Sequence, residues 1–164
     1  MDTRIERVAY DRPDAVALIA EVQREYVARY GEEDYTPIDP AEFAPPNGLF
    51  LVAYLDGVPV ACGGWRVHGD AEAELKRMYV SPLARGKGLA RAVLAELERT
   101  AFAAGNRRMV LETGTRQPEA LALYASSGYV AVPRFGFYAG EPEAVHLGKQ
   151  ILAQAEEHSC PSMP

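Results

Sequence analysis

Polar and apolar residues alternate through residues 4–10, and this two-residue period predicts an opening strand. The period then lengthens. Leu18, Ile19, Val22, Tyr26 and Tyr30 recur at helical spacing, with Pro13 and Asp14 suited to a first turn and Gly31 to the stop. Residues 32–47 carry no period. They form an acidic, proline-rich connection with a short helical turn near residues 40–43, and connections of that length are often functional. Residues 49–55 and 58–67 read as paired strands, because Asp56-Gly57 between them is a strong hairpin turn. A third strand covers residues 72–80. A helix follows over residues 89–104, ended by Gly105-Asn106, then a strand over 109–113 and a helix over 118–126 stopped by Gly128. Residues 129–135 and 144–151 read as closing strands.

This order, β-α-turn-β-β-β-loop-α-β-α-β-β, predicts one α/β layered domain over residues 1–152. Residues 153–164 read as a flexible tail rich in Pro and Ser. A chain of 164 residues, 48% hydrophobic and 24% charged, suits a single substantial core. No apolar run approaches the length of a membrane span, and no signal-peptide pattern opens the chain, so no membrane partner is expected. The net charge of −6 argues against a nucleic-acid partner. Two cysteines, Cys62 and Cys160, are too few for a disulfide framework, and a reducing, cytoplasmic setting is expected. His68, His146 and His158 lack zinc-ligand spacing, so no metal is expected.

The chemistry is concentrated where residues 75–80 meet the helix at Leu89. Gly86 and Gly88 allow the backbone to approach a ligand and turn N–H groups toward it, a cradle for phosphate at a helix N-terminus. A nucleotide P-loop does not fit, because Lys87 is followed by Gly88 rather than Ser or Thr. A dinucleotide fingerprint does not fit either, because Arg91 stands where a small residue is required. What the letters do show is Arg-x-x-Gly-x-Ala at Arg85, Gly88 and Ala90, preceded by Leu75 to Pro82 and followed by Leu111 to Tyr124.

Together these segments resemble the GNAT acetyltransferase superfamily, and the order of elements is also that of the GNAT fold, a mixed central sheet flanked by helices. The resemblance implies acetyl-CoA as co-substrate, with no metal, and direct attack of an amine on the thioester. It implies that Met78, Tyr79 and Val80 face the pantetheine arm, with the Val80 N–H meeting the acetyl carbonyl. Arg85, Gly86, Lys87, Gly88, Leu89, Ala90 and Arg91 would hold the pyrophosphate, and Gln117 stands where many members carry an Asn that touches the cofactor. Tyr124 would be the general acid toward the coenzyme A sulfur, and Glu74 the general base through a water. Glu112 on the next strand is a second candidate base, or an ion-pair partner of Arg107 or Arg116.

The acceptor is the least defined. Tyr26, Arg29, Tyr30, Trp65, Arg66, Arg134, Phe135 and Tyr138 could line an acceptor cleft. Arg66, Arg77 and Arg134 suit a carboxylate-bearing acceptor, whereas Glu32, Glu33 and Asp34 suit a polyamine or aminoglycoside. A small-molecule or amino-acid-like amine is the leading expectation. A peptide or protein acceptor, and a coenzyme A sensor without turnover, remain alternatives, and a homodimer is compatible with the fold.

Overall fold

The computed structural model describes residues 2–152; the expected tail and Cys160 lie outside them. Seven strands and three helices follow the expected order. They are β1 (Thr3–Arg7), α1 (Pro13–Tyr30), β2 (Gly48–Leu55), β3 (Val58–Gly69), β4 (Glu72–Val80), α2 (Leu89–Ala103), β5 (Arg108–Gly114), α3 (Pro118–Ser126), β6 (Val130–Ala131) and β7 (Ala144–Gln150). A short 3-10 turn at Pro40–Phe43 lies inside the long connection, capped reciprocally by Asp39 and Glu42. No helix among the described residues is long and apolar enough to cross a membrane.

The strands form one sheet in the order β1-β2-β3-β4-β5-β7-β6, mixed because β4 and β5 run parallel and the other pairs antiparallel. Alternation sends side chains to two faces. Leu49, Leu51, Trp65, Leu75 and Leu111 pack with Val93, Leu94 and Leu97 of α2 and with Tyr124 of α3. Phe50, Val52, Tyr54 and Cys62 pack with Leu18 and Val22 of α1 and with Phe43 of the turn. The hydrophobic spacing read from the sequence is therefore the spacing of these two buried layers.

Two strands end three or more residues from expectation. The opening strand stops at Arg7, although Val8 still donates its N–H to the Phe50 carbonyl. The strand expected over residues 129–135 is only Val130–Ala131. Val132 donates the last backbone bond, to the His146 carbonyl, and Pro133 then has no N–H to continue the ladder.

One irregularity in β4 shapes the site. Against β3, Tyr79 pairs with Cys62 but Lys76 pairs with Gly64, so Arg77 and Met78 together face Gly63. Arg77 is the extra residue of a β-bulge, at φ +60°. That left-handed conformation costs a non-glycine residue about 1–2 kcal/mol. The bulge resets the side-chain alternation. Glu74, Lys76, Arg77 and Tyr79 lie toward α1, while Leu75, Met78 and Val80 lie toward α2.

Candidate active site

β4 and β5 are paired only from Glu72–Arg108 to Leu75–Leu111. β5 then stays with β7 as far as Gly114–Ala144, and the end of β4 parts from it. Ser81 donates its N–H to the Val60 carbonyl on the β3 side. By strand alternation the Val80 N–H and C=O therefore face the gap. Arg85 Nε donates to that Val80 carbonyl at 3.2 Å. An unpaired strand edge in a gap is a place where an extended ligand can take backbone hydrogen bonds.

Two cavities meet across this gap. One, of about 390 Å³, is lined by Val80, Arg85, Gly86, Gly88, Leu89, Ala90 and Arg91, with Glu25 and Arg29 of α1 opposite. The other, of about 360 Å³, lies toward α1, β5 and residues 138–144. Tyr26, Met78, Gln117, Ala120 and Tyr124 line both. The site is thus a loop lobe and a deep lobe joined at Met78 and Tyr124.

In the loop lobe, Gly86 and Gly88 have φ +79° and +76°, and a Cβ at either would meet nothing within 4 Å. The backbone there is open to a ligand. Gly88 is also the N-cap of α2 and brings no side-chain cap, so the first amides of that helix are available to an anion. Arg85 is held by Glu25 at 2.9 Å, and Arg91 by Ser126 Oγ at 2.6 Å. Lys87 is exposed and does not line the lobe. Its charge can act only from outside.

Tyr124 is 5% exposed, stacked edge-on against Tyr129 at 5.6 Å, and faces the junction of the lobes. Burial pushes its phenol well above the usual range, so the hydroxyl keeps its proton. Gln117 also lines the junction, with its Oε1 accepting from Thr113 Oγ1 at 3.1 Å.

The deep lobe is lined by Glu32, Glu33, Asp34, Glu112, Glu141 and Glu143, against Lys76 and Arg77. Glu112 Oε2 lies 3.0 Å from His146 Nε2. Burial raises the Glu112 carboxyl to about 7; Asp34 and Glu74 add to the rise, while Lys76 and Arg134 oppose it. His146 is shifted down, chiefly by its own burial and then by Arg134, so the ring is neutral at pH 7. Its buried Nδ1 meets no partner at full hydrogen-bond geometry among the described residues, while the Phe135 backbone pulls the ring's pKa upward against its burial. The Nε2–Glu112 contact carries one proton, which either partner can hold. A carboxylate poised near neutrality on a cavity wall is built to take a proton. Glu112 pairs with neither Arg107 nor Arg116. Arg107 donates to the Phe102 and Asn106 carbonyls, and Arg116 pairs with Glu143.

Several expected residues sit elsewhere. Glu74 is buried against Arg66, with Nε to Oε1 at 3.0 Å, and lines neither lobe. Arg66 is further committed to the Pro37 carbonyl and to Glu42. Arg134 donates to the Ala139 and Glu141 carbonyls and shapes that loop rather than the lobe. Trp65 points toward α2, with Nε1 on Thr100 Oγ1 at 3.1 Å. Phe135 stands edge-on between the His68 and His146 rings. Arg77 does line the deep lobe; its Nη1 is held by Asp34, while its Nε is buried without a partner among the described residues.

Tyr30 and Tyr138 line the deep lobe, and Tyr26 lines both lobes. The Tyr138 hydroxyl accepts from the Tyr35 N–H at 2.8 Å and joins the long connection to the loop before β7. The sequence offers Asp34 and Arg77 separately as acceptor contacts, but neither their pairing with Lys76 nor His146 as a site feature. No local pattern marks either, since both depend on strand register. Among the described residues no group of three or more His, Cys, Asp or Glu side chains could hold a metal.

The model of the acetyltransferase (GNAT) family matches residues 15–129. An IAA acetyltransferase of Azospirillum brasilense is 35% identical over 137 residues, covering 83% of this chain and 90% of the relative. The human N-acetylaspartate synthetase is 30% identical over 138 residues, 84% of this chain but only 46% of the longer relative. Among solved structures, the PaiA N-acetyltransferase of Thermoplasma acidophilum in complex with coenzyme A superposes with a TM-score of 0.68, covering 92% of this chain and 99% of that one at 16% identity. With its mixed sheet, parted β4–β5 edge and glycine loop, the chain belongs to the GNAT acetyltransferase family and is an N-acetyltransferase.

Proposed function

We propose that this enzyme transfers the acetyl group of acetyl-CoA to the primary amine of a small, amino-acid-like acceptor that enters through the deep lobe. The observation that carries this reading is the meeting of two lobes of different chemistry at Met78 and Tyr124, beside the unpaired Val80 amide. The loop lobe fits the donor. Amides from Gly86 to Arg91 suit the pyrophosphate, and the parted β4 edge suits the amide-bearing pantetheine arm. The family's use of acetyl-CoA and the coenzyme A-bound relative support this donor.

In the deep lobe, Glu112 accepts a proton from the incoming ammonium, which at pKa about 10 is otherwise unreactive at neutral pH. His146 orients that carboxylate. The Val80 N–H donates to the thioester carbonyl as charge develops on its oxygen. Tyr124 donates its hydroxyl proton toward the departing sulfur and regains one from the acylated nitrogen, which sheds its second proton as the amide forms. Glu112 thus takes the base role first expected for Glu74, because it lines the lobe and Glu74 does not.

A small acceptor is favoured over a polypeptide by the Tyr35–Tyr138 bridge, which ties two rim segments together. The relative named N-acetylaspartate synthetase supports an amino-acid-like compound. The free, buried Cys62 is consistent with a reducing cytoplasm. The test is an acceptor screen following release of the coenzyme A thiol across amino acids, polyamines, aminoglycosides and peptides. Turnover on a small amine supports the reading. Tight acetyl-CoA binding with no release across the panel would replace it with a sensor.

A further inference from the structure

We infer that Asp34 is a positioning residue that selects the register of the end of β4, and so decides which backbone amide faces the thioester. The inference rests on the proposed reaction for its purpose, but on independent geometry for its substance.

Regular pairing after Lys76 would place Arg77 on the α2 face, because neighbouring strand residues alternate. That face is apolar: Val93 and Leu97 pack there, and a Cβ at Gly63 would touch Leu97 and Met78. An arginine buried there would have no partner. The bulge turns Arg77 to the α1 face instead, where Asp34 accepts hydrogen bonds from both Arg77 Nη1 and Lys76 Nζ. Arg77 is 6% exposed and Lys76 8%, so these are charges that need their partner.

Asp34 is itself held with unusual completeness. Its N–H donates to Gln23 Oε1 at 2.8 Å and its carbonyl accepts from Gln23 Nε2 at 3.1 Å. Its carboxylate also accepts from the Thr36 N–H and hydroxyl. Burial works against its ionisation, yet Lys76 and Arg77 more than offset this, and the carboxyl is held far below the ordinary range. The Arg77 carbonyl, in turn, accepts from the buried Cys62 thiol at 3.3 Å.

A one-residue slip reverses every later residue of a strand. Without the bulge, Val80 would turn its N–H toward β3 and Tyr79 would present its own to the gap. Met78, which lines both lobes, would exchange faces with its neighbour. Buried ion pairs are best attested in this role, as selectors of register rather than as net sources of stability.

The test compares wild type with Asp34→Asn and Arg77→Met, the latter keeping bulk at the bulge while removing the charge. Calorimetry measures acetyl-CoA and coenzyme A binding, and turnover is measured on the best acceptor from the screen. Both variants are expected to bind coenzyme A within about threefold of wild type, because the residue 85–91 side of the loop lobe, which suits the pyrophosphate, lies outside the segment whose register changes. Any wild-type preference for acetyl-CoA should be lost, and kcat should fall at least tenfold at little-changed KM for acetyl-CoA. The double variant should be no worse than the poorer single one. A folded variant with kcat and acetyl-CoA affinity within twofold of wild type overturns the inference, as does a uniform loss of coenzyme A binding. Should both charged variants fail to fold, Gln23→Ala loosens the Asp34 backbone with every charge kept. A threefold or greater loss in kcat supports the inference, and an unchanged kcat overturns it. If wild type binds acetyl-CoA yet acetylates nothing, the proposed function fails, while the binding comparison still decides the register role.

Discussion

Glu112 of β5 and His146 of β7 are a direct cross-strand pair, and their side chains meet at 3.0 Å on the wall of the deep lobe. The strand register that builds the sheet therefore also builds a proton acceptor and its orienting partner. The imidazole is sealed from solvent by Phe135, whose ring stands edge-on to it at 4.9 Å.

The rate should therefore rise with pH through about 7, because only the deprotonated Glu112 carboxylate can accept a proton. Glu112→Gln should lower kcat by about 10²- to 10⁴-fold and abolish that limb of the profile. Glu74→Gln should keep the limb. A Glu112→Gln enzyme with the wild-type pH profile would remove Glu112 from the mechanism.

The same carboxyl links pH to stability. Its folded-state pKa lies above its ordinary value of 4.5, so its contribution is fully present below about pH 4.5 and is lost as pH rises through about 7. Glu112→Gln should therefore be more stable than wild type above pH 7, by at most about 3 kcal/mol, and should show no such gain at pH 4. Thermal unfolding at the two pH values measures the difference.

Tyr124→Phe removes one hydroxyl and keeps the ring that packs on Tyr129. The expected result is a fall in kcat of about 10²-fold with acetyl-CoA affinity nearly unchanged. Unaltered turnover with a confirmed acceptor would leave the tyrosine as a packing residue.

How much of this was legible in the letters follows from the range of each interaction. The order of elements was legible because amphipathic spacing and turn residues act locally, as in the Asp56-Gly57 hairpin and the Pro118 helix start. The glycine loop was legible for the same reason, since Gly86, Gly88 and the helix they open are contiguous. Pro133 is the local signal that cuts short the strand expected over residues 129–135. The base was not legible. Glu112 and His146 are 34 residues apart and depend on the β5–β7 register, while Asp34 and Arg77 are 43 apart and depend on the β4 bulge. Glu74 and Glu112 look alike in sequence. Only the Arg66 partner and the parted strands separate their roles.

Gly88 sits in the left-handed region at φ +76° and opens α2. Gly88→Ala meets no neighbouring atom, so its effect is conformational, about 1–2 kcal/mol of backbone strain. On the proposed reading, the donor binds the loop in this left-handed shape. The strain should therefore appear as a roughly five- to thirtyfold weaker acetyl-CoA affinity. Acceptor KM and the pH limb should be unchanged, which calorimetry and steady-state kinetics together would establish.

Gly114 provides the matching test of the deep lobe. A Cβ there would overlap the Tyr30 hydroxyl and lie 2.6 Å from its ring, so Gly114→Ala must displace Tyr30. That hydroxyl accepts from the Arg116 N–H at 3.2 Å, and both Gly114 and Tyr30 line the deep lobe. Neither residue lines the loop lobe. Gly114→Ala should therefore raise the acceptor KM about tenfold or more while leaving acetyl-CoA affinity within twofold, a cost in the range of overpacking, about 1–3 kcal/mol. Adding Tyr30→Ala should restore room for the methyl group and recover part of the acceptor affinity, because the clash rather than the glycine is the cause. Equal loss of donor and acceptor binding in Gly114→Ala would mean that the two lobes are not separable binding sites.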